Sequence, residues 1–217
     1  MNIELEKLLA ELEAFGVKND RRHEEYSRRM MNIPRETGQF LQVLAMSARA
    51  QHILEIGTSN GYSTLWLARA ARAMGGRVTT VERLDSKFAL ARANFERSGM
   101  TDVITQVQAN GGDFLARAAD ASFDFIFLDS ERSAYPAWWQ DIKRILTLGG
   151  LWVADNALSH PKEFKPLVTL VEADHQFTTC VVPVGNGEYV AVKAPTGQAS
   201  LEPTASKGES AAVKSLE

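Results

Sequence analysis

Cysteine is nearly missing from this chain: Cys180 is the only one in 217 residues. No internal disulfide can form, and the expected setting is reducing. A nucleophilic cysteine needs a paired histidine in an electropositive setting, and none stands nearby. The apolar run at 177–184 predicts instead a buried thiol acting as a small hydrophobe. Long hydrophobic runs are missing too, so nothing approaches a membrane span. The opening MNIELEKLLAELEAF is amphipathic and acidic, unlike a secretory signal. Excess charge of one sign is absent: the net charge of -3 gives no overall pull toward nucleic acid. The one basic stretch, Arg21, Arg22, Arg28, Arg29 and Arg35, reads as a solvated helix face before a phosphate-binding strip. There is no internal repeat. Residues 195–217 lack aromatics and apolar periodicity, which predicts a disordered tail. What remains is one expected domain over 1–194, with a helical cover at 1–48 and an α/β core at 49–194, in a cytoplasmic protein without a membrane partner.

Within those bounds the pattern is regular. Leu5, Leu8, Leu9, Leu12 and Phe15 recur at helical spacing, predicting a helix over 3–15 closed near Gly16. A second, charged helix is expected over 20–30, broken before Pro34, and a third over 36–48. Strands then read at 52–57, 77–82, 103–108, 123–129 and 150–155, with helices at 61–74, 85–98, 112–119 and 135–146 between them. Such alternation means a parallel sheet covered on both faces. After a helix at 161–173, the segments 177–184 and 188–194, joined by GNG, form a hairpin that adds one antiparallel strand.

Chemistry concentrates where strands end. FIFLDSER runs an apolar strand into Asp129, and VADNALSH runs another into Asp155 and Asn156. Neighbouring strands lie about 5 Å apart, so three oxygen ligands suited to a hard divalent cation would meet at one sheet edge. Each pair alone also suits a strand end, turn or helix cap. Strand one leads into Glu55-Ile-Gly57-Thr58-Ser-Asn-Gly61-Tyr-Ser63, a turn whose glycines let the backbone approach a ligand at a helix start. Strand two ends in Glu82, suited to hold both hydroxyls of a ribose. A dinucleotide oxidoreductase using NAD would want G-x-G-x-x-G, and the middle glycine is missing. GTSNG formally matches the serine-hydrolase elbow, but no oxyanion segment accompanies it. S-adenosylmethionine, which needs the ribose acid and no pyrophosphate cradle, fits best. A non-catalytic nucleotide-binding domain remains the other class.

Taken in order, MNIPRETGQF, ILEIGTSNGYS, Glu82, QANGGDF, FLDSERSAY and VADNALSH resemble the metal-dependent O-methyltransferases that include catechol and caffeoyl-CoA O-methyltransferases. The resemblance covers about 31–193. It implies a Rossmann-like class I methyltransferase fold: a mostly parallel seven-stranded sheet with one antiparallel strand and helices on both faces. It implies S-adenosyl-L-methionine held by Ile33, Glu55, Gly57, Thr58, Ser63, Glu82, Gly111 and Asp129. Asp129, Asp155 and Asn156 would hold Mg²⁺ before Mn²⁺ or Ca²⁺. The implied reaction moves a methyl group to a cation-held hydroxyl of a catechol-like or phenolic small molecule, in a homodimer. A hydroxylated base in RNA ranks behind that acceptor.

One position departs from the family. Its lysine three residues after the first metal aspartate, assigned as the base, is here Arg132, which stays protonated and accepts nothing. A phenol has a pKa of about 10, so making the phenolate dominant at pH 7 needs about 4 kcal/mol. A divalent cation can supply most of it, with the guanidinium of Arg132 adding to it. Proton removal then falls to solvent or His160. The other outcome is that Arg132 grips a substrate carboxylate or phosphate through its planar fork. Glu188 reads as a polar hairpin residue, with a substrate hydroxyl as its other reading. Trp138 and Trp139 read as helix-to-sheet packing, with one of them walling the substrate pocket as the lesser alternative.

Overall fold

Residues 3–194 are described by the computed structural model; the tail expected to be disordered, 195–217, lies outside them. Strands β1 (His52–Ile56), β2 (Arg77–Glu82), β3 (Ile104–Gln108), β4 (Phe123–Leu128), β5 (Leu146–Ala154), β6 (Phe177–Val182) and β7 (Glu188–Lys193) form one sheet in the order β3-β2-β1-β4-β5-β7-β6. Pairings from β3 through β5 are parallel, and β7 runs against both β5 and β6. β7 is therefore the one reversed strand. Because side chains alternate along a strand, Ile53, Phe125, Phe127 and Val153 enter one core layer while Leu54, Ile126, Leu128 and Trp152 enter the other.

The first layer is roofed by α1 (Ile3–Asp20), α2 (Arg35–Ser47), α3 (Tyr62–Met74) and α4 (Asp85–Ser98). The second is roofed by α5 (Gly111–Arg117), α6 (Tyr135–Ile145) and α7 (Pro161–Glu172). Among the described residues no helix is long and apolar enough to cross a membrane.

Four expectations need correction. Helix α1 does not close at Gly16 but continues to Asp20. Gly16 is buried against Asn32, whose amide donates to the Leu12 carbonyl at 2.9 Å, so a side chain there would strike Asn32. The charged helix over 20–30 is absent; only a short 3₁₀ turn at Tyr26–Arg28 forms. The Asp20 carboxylate accepts from the backbone amides of Met30 and Met31 at 2.6 and 2.8 Å, which folds the segment back. Strand β5 starts at Leu146 rather than 150, passing an irregularity with Gly149 at φ 75°. Cys180 is exposed, not buried, because β6 is an edge strand with one face unpacked.

Candidate active site

The carboxyl ends of β1, β2, β4 and β5 open onto one cavity of about 690 Å³. The strand ladder itself places the two aspartates. Asp129 N donates to Ile56 O at 3.0 Å and Asp155 N to Leu128 O at 3.1 Å, so each acid sits one residue past its strand, on neighbouring strands. Both line the cavity, as do Ile33, Gly57, Thr58, Ser63, Glu82, Gly111, Arg132, Asn156 and His160. Asn156 takes φ 77°, in the left-handed region, where asparagine is among the few tolerated side chains.

The glycine turn is shaped by what it touches. At φ 111° a side chain on Gly57 would meet the Asp129 carbonyl, so the turn presses directly against the acidic loop. Glu82 accepts from the amides of Ser59 and Leu84, both at 2.9 Å, which ties the end of β2 to the turn. Ser59 Oγ donates to Met30 O at 2.8 Å and pins the segment that leads to Ile33. Glu55 does not line the cavity. It lies fully buried beneath the turn, accepting from Ser63 Oγ and Thr80 Oγ1 at 2.6 Å each and from Thr64 Oγ1. Burial pushes its carboxyl up to about 7, against the pull of those three hydroxyls. Trp139 packs in the core, whereas Trp138 stands against Gly111 and Gly112 at the cavity wall.

Glu188 sits at the same end of the sheet because β7 is reversed and begins where its neighbours finish. It is fully buried, and neither of its oxygens receives a formed hydrogen bond. Its carboxyl is pushed up to about 10, first by burial and then by the charge of Asp155. Burial likewise raises Asp129, with Asp155 and Glu55 adding to it, and burial raises Asp155. Arg132 pulls both aspartates the other way, though its Nε is engaged by Glu163 at 2.9 Å. His160 Nδ1 lies 2.9 Å from Ser159 Oγ, which is 3.2 Å from Asn156 Oδ1. Lys87, buried at the cavity wall, has its amine pulled down by burial.

Among the described residues no cluster of three or more His, Cys, Asp or Glu side chains forms a metal site. The expected set, two carboxylates and one amide, is of a different make-up. It fits a hard divalent cation: its donors are oxygens, and they adjoin Glu188, a buried carboxyl whose oxygens receive no well-formed hydrogen bond. Two carboxyls held side by side out of water are relieved by a positive charge between them.

A seven-stranded sheet of this order with a single reversed strand, carrying a glycine turn after β1 and an acid ending β2, defines a class I methyltransferase fold. The solved O-methyltransferase from Bacillus cereus in complex with SAH shares it, with a TM-score of 0.73 and 26% identity over 89% of this chain and 91% of that one. A family model described as O-methyltransferase matches residues 2–194, and the chain belongs to that family. Catechol O-methyltransferase from Niastella koreensis is 37% identical over 61% of this chain and 61% of its own length. Catechol O-methyltransferase from Mycobacterium tuberculosis is 36% identical over 58% of this chain and 57% of its own. The chain thus spans about three fifths of the length of these curated relatives.

Proposed function

We propose that this chain transfers a methyl group from S-adenosylmethionine to a hydroxyl of a catechol-like or phenolic small molecule, with a divalent cation. The observation that carries this reading is the sharing of one cavity by Asp129 and Asp155 with the glycine turn and Glu82. Family membership and the names of two relatives support it.

In this reading Glu82 takes the ribose hydroxyls, Gly111 lies beside the adenine, and Ile33 and Ser63 meet the methionine carboxylate. Asp129, Asp155 and Asn156 hold the cation, Mg²⁺ before Mn²⁺ or Ca²⁺. S-adenosylmethionine supplies the methyl on a sulfonium. A divalent cation supplies positive charge that favours an ionised acceptor. With the cofactor bound, the acceptor oxygen would take the methyl carbon as the carbon–sulfur bond breaks, leaving a neutral thioether, and the hydroxyl proton would pass to water or His160. Arg132 adds positive charge to the cavity and, always protonated, cannot take that proton. Alignment of oxygen, methyl and sulfur is the main task left to the walls. The homodimer expected from the resemblance belongs to the same proposal and is checked by light scattering.

The test is S-adenosylhomocysteine production from a diphenol. Activity lost to a chelator and returned by Mg²⁺ is expected. Turnover of diphenols that ignores chelator overturns the role of the cation, and no turnover of any diphenol overturns the acceptor class.

A further inference from the structure

Arg132 is anchored on one side only. Glu163, from α7, engages its Nε at 2.9 Å, and its two Nη groups make no hydrogen bond among the described residues. The side chain keeps 21% of its surface exposed and lines the cavity. A second guanidinium lines the same cavity from a different segment. Arg29, stacked over the Tyr26 ring at 5.5 Å, has a buried Nε with no partner. Two arginines each held on one side by a neighbour, and each with donors left over, suit an anion: less side-chain freedom is lost when the fork closes on two oxygens.

The acids on the cavity do not use up these donors. Glu163 holds only the Nε of Arg132. Glu82 is engaged by two backbone amides, Glu131 accepts from Ser133 Oγ at 3.2 Å, and Asp129 and Asp155 are assigned above to the cation.

Resting on the methyl-transfer reading, we propose that Arg132 and Arg29 form an anion-binding wall, so that the acceptor is a hydroxylated aromatic acid whose carboxylate lies on that wall while its hydroxyl faces the aspartates. The substrate is then gripped at both ends, which fixes which hydroxyl meets the methyl donor. Arg132 and Arg29 are specificity-determining, and Glu163 is a positioning residue that aims Arg132.

The test compares 3,4-dihydroxybenzoate with its methyl ester, which removes the charge and keeps the ring and hydroxyls. With Mg²⁺ and S-adenosylmethionine, kcat/KM for the acid is expected to exceed that for the ester by about tenfold or more, carried by KM. Arg132→Met and Arg29→Met each bring the acid-to-ester ratio toward one, and Arg132→Lys recovers part of it. Titration calorimetry with S-adenosylhomocysteine bound gives a reading without turnover: the acid binds the wild type more tightly, and the preference shrinks in the variants. Equal handling of acid and ester by a turning-over wild type, or ratios that survive both substitutions, overturns the wall. A loss of S-adenosylhomocysteine affinity matching the loss for the acid overturns it too, assigning the arginines to the cofactor. If neither compound is methylated but the acid alone binds, the wall stands and the methyl-transfer reading falls. If neither is methylated and neither binds, both fall.

Discussion

At the scale of single residues, the best-placed test is Glu55, which lies beneath the cavity's glycine turn without lining that cavity. Its folded pKa, about 7, stands above the ordinary 4.5. A raised carboxyl favours folding only while protonated, so its contribution is complete below pH 4.5 and is lost as the pH rises through about 7. The shift sets a ceiling of about 3 kcal/mol on that loss. Wild-type melting temperature should therefore fall between pH 5 and 8, and Glu55→Gln should flatten that fall; an equal slope in the variant would show that other groups carry it. Asp129, Asp155 and Asn156 were legible because each ends an apolar run, where the next side chain must leave the sheet. Glu188 was not. Its neighbours along the chain make an ordinary hairpin, and only the insertion of β7 between β5 and β6 brings its first residue to the site. Cys180 misled for a related reason: an apolar run reads alike in a central strand and an edge strand.

At the scale of elements, α1 seals the first core layer with Leu5, Leu8, Leu9 and Leu12, and Glu6 ties it down through Arg35 at 2.8 Å and Arg69 at 2.7 Å. Leu9 is fully buried, so Leu9→Ala should cost about 2–5 kcal/mol in urea unfolding. A cost below about 1 kcal/mol would show that α1 is dispensable to the core. The helices that cover the sheet were readable from 3.6-residue periodicity. The residues after Asp20 tolerate helix, but the segment has no apolar face to bury. Hydrogen bonds to one carboxylate therefore decide its path. The early start of β5 was hidden by Gly149 and Gly150, which read as a turn, whereas the chain leaves α6 directly into the strand.

At the scale of the whole molecule, the sheet divides the cavity: β1 and β2 carry the glycine turn and Glu82, while β4, β5 and β7 carry Asp129, Asp155 and Glu188. Charge follows the same division. The basic stretch expected as a solvated helix face is dispersed instead, with Arg35 paired to Glu6 and Glu13, Arg28 to Glu25, and Arg29 lining the cavity. A cation that binds the folded chain alone stabilises all of it, by about 2.7 kcal/mol at a hundredfold excess over Kd. Mg²⁺ should accordingly raise the melting temperature of the wild type, and Asp155→Asn should remove most of that rise. A rise of equal size in the variant would move the cation elsewhere.

The left-handed backbone at Asn156 carries a consequence for how the sequence can drift. Glycine would relax that residue and erase its amide oxygen in the same change. Asn156→Gly is thus expected to keep or raise the metal-free melting temperature while S-adenosylhomocysteine production collapses. With Asn156 as the proposed cation ligand, durability and turnover ask for different residues at this one position.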